Sequence, residues 1–145
     1  MDQAASFQTT LHVRDQCLCL HLQRAARRVA RRFDEALRYL NLSNGQFSLL
    51  TSLNRPQPAR MNGVAALLGM DRTTLTAALK PLEQRGLVRI EVDPKDRRGR
   101  VLRLTETGHA LLARAFPVWT RTHAELERQA GMAPDELRRA LRELS

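Results

Sequence analysis

The sequence has few aromatic residues, few cysteines and no long apolar run, and each shortage excludes a class of protein. Phe, Trp and Tyr make up 4% of the 145 residues, which leaves few anchors for a membrane surface. The two cysteines, Cys17 and Cys19, cannot build a disulfide framework and suit a reducing compartment. No run is long enough to cross a bilayer, and the first residues lack a signal-peptide core. We therefore expect a cytoplasmic protein.

The sequence also lacks the motifs of common active sites. It has no phosphate-cradling glycine loop, no HExxH, no nucleophile elbow and no CxxC. Asp93 and Asp96 lie in an arginine-rich turn, which favours ion pairing over acid–base chemistry. Cys17, Cys19 and His21 do not form a metal site, because on a helix residue 19 points away from the other two. We predict a protein that is not an enzyme and has neither a cofactor nor a metal site.

Arginine is abundant instead. Lys and Arg total 24 against 15 Asp and Glu, for a net charge of +9, and only Lys80 and Lys95 of the basic residues are lysine. The length and a hydrophobic content of 43% fit a single globular domain, residues 1–145. A charge of this sign favours a polyanionic partner.

Residues 62–105 contain two short helical patterns separated by Gly69, which can adopt the left-handed conformation that ends a helix. Asp71 stands where the second helix needs an N-cap, and Gly86 stops that helix after about residue 85. Pro81 is expected to kink it. The predicted core positions of the two helices are Val64, Leu67, Leu68, Leu75, Leu79 and Leu82.

Two alternating runs, residues 87–92 and 100–104, follow the second helix and flank the charged turn DPKDRRG. Two helices joined by a tight turn and followed by a β-hairpin form a winged helix-turn-helix, which reads duplex DNA. Arginine and threonine on the second helix can contact base edges, and a basic hairpin tip can reach phosphates or the minor groove. The predicted DNA-binding residues are Arg72, Thr73, Thr74, Thr76, Lys80, Lys95, Arg97, Arg98 and Arg100.

The pattern LxxLExxGLVR spans residues 79–89, and DPxDxRxxxLxLTxxG spans residues 93–108. Together they resemble the MarR family of bacterial transcription regulators over nearly the whole chain. The resemblance implies that Arg98 enters the minor groove and that Asp96, also counted with the DNA-binding residues, orients neighbouring arginines. It further implies a mainly α dimer with a small β-hairpin wing, which a small molecule or oxidation regulates.

The segments on either side of the winged unit are amphipathic and helical. We predict frayed residues 1–11, one helix over residues 12–40, a helix over 45–54, a loop over 55–60, a helix to about residue 130 that Pro117 kinks, and a last helix from Pro134. Residues 1–42 and 105–145 then form a dimerisation region around the winged unit, residues 43–104. The predicted function is a homodimeric repressor that binds an inverted-repeat operator and is released by a small ligand at the hinge or by cysteine oxidation.

In an alignment with the MarR family, which this sequence resembles, Cys19 falls at the position of the reactive cysteine of the peroxide-sensing branch. Gln23 and Phe33 stand where that branch has two supporting tyrosines, so the favoured interpretation is a small buried hydrophobe on a dimer helix. A redox-sensing Cys19 is the other hypothesis.

The long first helix carries five arginines between residues 24 and 32, which we interpret as a solvated face. The alternative function that this face allows is a helical protein that binds anionic membranes peripherally.

Overall fold

The computed structural model of the chain describes residues 6–145. The fold is mainly α, with a small antiparallel sheet. In chain order its elements are α1 (Phe7–Gln16), α2 (Leu18–Leu37), a 3-10 turn (Arg38–Leu40), α3 (Asn44–Ser52), β1 (Ala59–Arg60), α4 (Met61–Leu68), α5 (Arg72–Gln84), β2 (Val88–Val92), β3 (Arg100–Leu104), α6 (Glu106–Gln129) and α7 (Pro134–Glu143).

The N-terminal helical region is two helices, so the prediction of one helix over residues 12–40 is wrong. The break is at Cys17, whose backbone is extended and whose thiol accepts the N–H of Leu20 at 3.5 Å, as an N-cap of α2 does. No proline or glycine marks this break in the sequence. Residues 7–11 were also predicted to be frayed, but they form α1, which Ser6 caps. Residues 1–5 of that prediction lie outside the described residues.

The helices of the winged unit begin and end close to where the sequence predicts. Ser43 caps α3 with a full capping box, in which the Gln46 side chain accepts the Ser43 N–H. Gly69 ends α4 in the left-handed conformation, with φ 64°. Helices α5 and α6 continue through Pro81 and Pro117 to Gln84 and Gln129.

The sheet has three strands in the order β1-β3-β2, one more than the predicted hairpin. Strands β2 and β3 match the prediction to within a residue, and Val88 pairs with Leu104. The extra strand, β1, lies in the segment predicted as a loop, and Ala59 pairs with Leu102. Two residues are too few for strand periodicity to show in the sequence.

One core connects the winged unit to α2 and α6. It contains Leu37, Leu50, Leu102 and Leu112, which are almost fully buried. Leu67 of α4 was predicted to face this core, but its side chain is 71% exposed, and Ala65 is buried instead. No helix among residues 6–145 is long and apolar enough to cross a membrane.

The start of α6 lies unusually close to the turn after α5. A Cβ atom added at Gly108 would lie 2.2 Å from the carbonyl oxygen of Leu87. The hydroxyl of Thr105, which caps α6, donates to the carbonyl of Gly86 at 2.6 Å. Only glycine permits this approach, because any side chain at residue 108 would meet backbone atoms.

We expect Gly108→Ala to destabilise the protein by about 1–3 kcal/mol, because the added methyl group overpacks against the fixed backbone. Gly63→Ala is the matched control: nothing lies within 4 Å of its added Cβ, so higher helix propensity should stabilise the protein by about 0.5–1 kcal/mol. Urea unfolding curves of both variants measure the free energy of unfolding. Equal stability of Gly108→Ala and wild type would contradict the close packing.

Candidate DNA interface

Helix α5 exposes one polar face because its apolar face is fully buried in the core. Leu75, Leu79 and Leu82 have no measurable exposure, and their spacing places them on one side of the helix. The predicted contact residues of this helix are all exposed on the remaining surface: Arg72, Thr73, Thr74, Thr76 and Lys80.

Asp71 caps the N-terminus of α5. Its carboxylate accepts the Thr74 N–H at 2.7 Å and the Thr74 hydroxyl at 3.0 Å. Both bonds hold the pKa of the Asp71 carboxyl below its ordinary value, and the bond from the Thr74 N–H has the larger effect. The predicted N-cap is therefore confirmed.

Two of the threonine hydroxyls on α5 already donate within the protein. The Thr74 hydroxyl donates to Asp71, and the Thr76 hydroxyl donates to the carbonyl of Arg72 at 2.8 Å. Each oxygen can still accept a hydrogen bond, and each methyl group is free for apolar contact. In this state Thr74 and Thr76 therefore offer an acceptor and a methyl group rather than a donor.

The turn between β2 and β3 is held by hydrogen bonds of its own. The carboxylate of Asp93 accepts the Lys95 N–H at 2.9 Å, and that of Asp96 accepts the Arg98 N–H at 3.0 Å. The N–H of Gly99 donates to the carbonyl of Asp96 at 2.9 Å. The Asp96 side chain thus fixes the backbone of Arg98, the residue predicted to enter the minor groove.

Asp93 also ties the wing to the start of the helix pair. Its side chain is 7% exposed, and Oδ2 lies 3.5 Å from Nε of Arg60, the N-cap residue of α4. The sequence predicted ion pairing between the aspartates of this turn and its arginines, but the cationic partner of Asp93 is Arg60. The strand β1 explains the difference, because it brings residue 60 beside β3.

The basic side chains of this surface are free to meet an anion. No carboxylate of residues 6–145 lies within 4 Å of their nitrogen atoms, whereas arginines elsewhere, such as Arg32 and Arg138, are paired with carboxylates. These free cations are Arg72, Lys80, Lys95, Arg97, Arg98 and Arg100.

An apolar cleft of about 470 Å³ lies between α3, α4 and α6. Phe47, Phe116 and Trp119 form its aromatic wall, with the rings of Phe47 and Trp119 stacked at 6.3 Å. Leu67 also lines it, which explains why that side chain is outside the core. Three hydroxyl residues supply the polar part of the lining: Ser48, Thr51 and Ser52.

The two cysteines lie at the break between α1 and α2. Cys19 is exposed in this chain, and its sulfur accepts a hydrogen bond from Nε2 of Gln23 at 3.2 Å. The preferred interpretation of Cys19, a hydrophobe that a dimer interface buries, stays a prediction. Residues 6–145 hold no group of three or more potential ligands that could bind a metal ion.

Comparison with known proteins agrees with this geometry. The sequence model of the MarR family matches residues 42–99. The crystal structure of the transcriptional regulator MosR of Mycobacterium tuberculosis in complex with DNA superposes with a TM-score of 0.82 at 36% identity, over 89% of this chain and 93% of MosR. The chain belongs to the MarR family.

Other relatives agree. The repressor CouR bound to p-coumaroyl-CoA is 30% identical, with a TM-score of 0.79, over 91% of this chain and 94% of CouR. The organic hydroperoxide resistance regulator of Bacillus subtilis is 29% identical over 86% of this chain and 84% of its own length. Escherichia coli HosA is 38% identical over 48% of this chain, and the match spans only 59% of HosA. This MarR-family chain is a DNA-binding transcriptional regulator, and its relatives are regulators rather than enzymes.

Sequence reasoning missed two features of this regulator. The Arg60–Asp93 pair depends on β1, for which the sequence gives no periodic signal. The cleft is formed partly by Phe47 and Trp119, whose places on amphipathic helices give no sign of a cavity. The sequence gives no sign that Leu67 is exposed either, because the spacing of Leu67 fits the core stripe.

We expect Asp71→Ala to lower the melting temperature at neutral pH and to have little effect in acid. A carboxyl whose pKa is lowered on folding stabilises the native state above its unfolded pKa, about 3.9, and loses this effect as pH falls through the lower folded value. Thermal melts of wild type and variant between about pH 7 and pH 2 measure the difference. Asp71→Asn, which keeps a capping oxygen, is the control. A difference that does not depend on pH would contradict the role of the charged cap.

Proposed function

We propose that the protein is a homodimeric repressor that binds an inverted-repeat DNA operator and is released by a small effector. The observation that carries this proposal is the exposed face of α5, whose cations have no carboxylate partner among residues 6–145, together with the equally unpaired cations of the wing. Membership of the MarR family and the DNA complex of MosR support it.

Helix α5 acts as the recognition helix in the major groove. Arg72 donates to a guanine edge, while Thr73 and Thr76 contact bases through methyl groups and hydroxyls. Thr74 acts as an acceptor or apolar contact, because its hydroxyl donates to Asp71. Lys80 binds a phosphate at the other end of the helix.

The wing provides the second contact. Arg98 enters the minor groove, where a narrow A·T-rich segment attracts arginine. Asp96 fixes the Arg98 backbone, which lowers the entropy lost when the loop meets DNA. Lys95, Arg97 and Arg100 contact phosphates beside it.

A second copy covers the apolar faces at the two ends of the chain. Helices α1 and α7 bury none of their residues within one chain, and several large apolar side chains there are exposed. Two recognition helices then meet half-sites about 34–36 Å apart. The exposed apolar residues available to this interface include Phe7, Val13, Leu18, Leu22, Leu141 and Leu144.

The cleft between α3, α4 and α6 is the proposed effector site. It joins the winged unit to a helix of the dimerisation region, so a ligand there changes the angle between the two parts. Its lining has aromatic rings and hydroxyls but no cation, which favours a neutral aromatic compound over a carboxylate. The complex of CouR with p-coumaroyl-CoA supports regulation by an aromatic ligand.

Oxidation of Cys19 is the second candidate trigger. The thiol is exposed and accepts a hydrogen bond from Gln23, and a B. subtilis relative is named for organic hydroperoxide resistance. In the proposed step the Cys19 thiolate attacks the terminal oxygen of an organic hydroperoxide, an S–O bond forms as the O–O bond breaks, and the departing alkoxide takes a proton from water. The products are a cysteine sulfenic acid and the alcohol.

We expect Arg72→Ala to weaken binding by about 1–3 kcal/mol and to relax specificity at one base pair, because it removes a bidentate contact. Arg98→Ala should weaken binding and reduce its dependence on salt. The measurement is a fluorescence-anisotropy titration of a duplex selected from a randomised library, at several salt concentrations. Arg139→Ala, an equal charge change on α7, is the control.

Equal losses in all three variants would show that only net charge matters and would contradict the assigned contacts. Recovery of the protein with anionic vesicles but not with duplex DNA would favour the peripheral-membrane alternative.

We expect the two triggers to separate in one release assay on the same labelled duplex. Methyl benzoate should release wild type and quench Trp119, the only tryptophan, more strongly than benzoate does. Leu67→Glu should weaken the methyl benzoate response about ten-fold or more, because it places a charge at the mouth of the apolar cleft, and should leave the response to tert-butyl hydroperoxide intact.

Cys19→Ser should do the reverse, and Cys17→Ser is the matched control for the peroxide arm. A peroxide response that is unchanged in Cys19→Ser would remove the redox trigger. A methyl benzoate response that is unchanged in Leu67→Glu would remove the cleft as the effector site.

A further inference from the structure

The turn after α5, residues 85–87, is held on one side by Asn41. This residue ends the α2 segment, by which we mean α2 together with the 3-10 turn that follows it. Nη1 of Arg85 donates to the carbonyl oxygen of Asn41 at 2.7 Å, across 44 residues of sequence. Asn41 ends the 3-10 turn that follows α2, and its backbone is left-handed, with φ 51°. A carbonyl at such a helix end lacks a helical partner, and the guanidinium provides one.

The same turn is held on its other side by the start of α6. The Thr105 hydroxyl donates to the Gly86 carbonyl, and the Thr105 N–H donates to the Leu87 carbonyl at 3.1 Å. Gly108 lies against that carbonyl as well. The segment that leaves the recognition helix is therefore attached to both helices that connect the winged unit to the dimerisation region.

The two attachments differ in what they can constrain. The buried leucine stripe fixes α5 about its own axis, and the contacts to α6 fix the position of the turn that follows it. The Arg85–Asn41 bond adds a point on a different helix, so it restricts the tilt of α5 relative to the α2 segment. Arg85 is an exposed residue at the helix end, so its side chain spans the gap between elements rather than filling the core.

We propose that Arg85 is a positioning residue for DNA binding, whose hydrogen bond to the end of the α2 segment sets the angle of the recognition helix and thereby the half-site spacing that the dimer accepts. The proposal rests on the proposed function, since it requires two DNA-reading arms on one dimer. Arg85 acts through α5 and contacts no base in this role.

The test compares Arg85→Ala with wild type on three duplexes: the one that wild type selects from a randomised library, and derivatives with one base pair inserted or removed between the half-sites. One base pair rotates a half-site by about a tenth of a turn. We expect Arg85→Ala to bind the selected duplex at least roughly five-fold more weakly, because each protomer of the dimer loses one hydrogen bond. Its preference for the selected spacing over the altered spacings should also fall roughly five-fold.

Three variants make the result specific. Arg114→Ala removes an equal charge from the groove that Arg85, Leu87 and Arg114 line between the turn and α6, and should keep the wild-type spacing preference. Asn41→Gly keeps the carbonyl and permits the left-handed backbone, so it should behave as wild type. Arg85→Lys keeps a donor and should restore part of the preference.

An Arg85→Ala variant that loses affinity equally on all three duplexes would identify a phosphate contact and overturn the proposal. An unchanged variant would overturn it too. A wild type that binds no duplex, or is a monomer, would instead refute the proposed function. Melting temperatures of every variant separate loss of folding from loss of positioning.

Discussion

The structure depends on the complete burial of one leucine stripe. Leu75, Leu79 and Leu82 have no measurable exposure, so α5 has one orientation about its axis that satisfies the core. Three buried leucines contribute several kcal/mol together, which is a large fraction of the stability of a domain this size. The residues opposite the stripe are therefore directed away from the core by the packing of the leucines. The polar surface that α5 exposes therefore follows from its apolar packing.

The basic residues are divided between two uses. Arg32 and Arg60 pair with carboxylates and connect elements that are distant in sequence, as Arg32 does between α2 and α6. The cations of α5 and of the wing have no such partner among residues 6–145. Exposed ion pairs add little to stability, and the cations of α5 and of the wing stay available to an anion.

The winged unit could be predicted from the sequence because its signals are local. Gly69 ends α4, Asp71 caps α5, and the strand pattern on both sides of DPKDRRG matches β2 and β3 closely. The features that were missed depend on tertiary contacts. The break at Cys17 comes from a thiol cap on an extended residue, β1 exists only because β3 pairs with it, and Leu67 leaves the core for the cleft. The residues predicted to contact DNA are exposed on α5 and the wing, as those roles require, and the roles themselves remain predictions.

The wing turn carries four cations within six residues, from Lys95 to Arg100, and its own hydrogen bonds hold them together. Like charges at this density repel one another, and dissolved ions reduce that repulsion within about 10 Å at 0.1 M salt. Added salt therefore weakens the repulsion between these cations in the unbound loop. It also screens the attraction between the same cations and an anionic partner. As ionic strength rises, the loop should therefore become better ordered while its affinity for a polyanion falls.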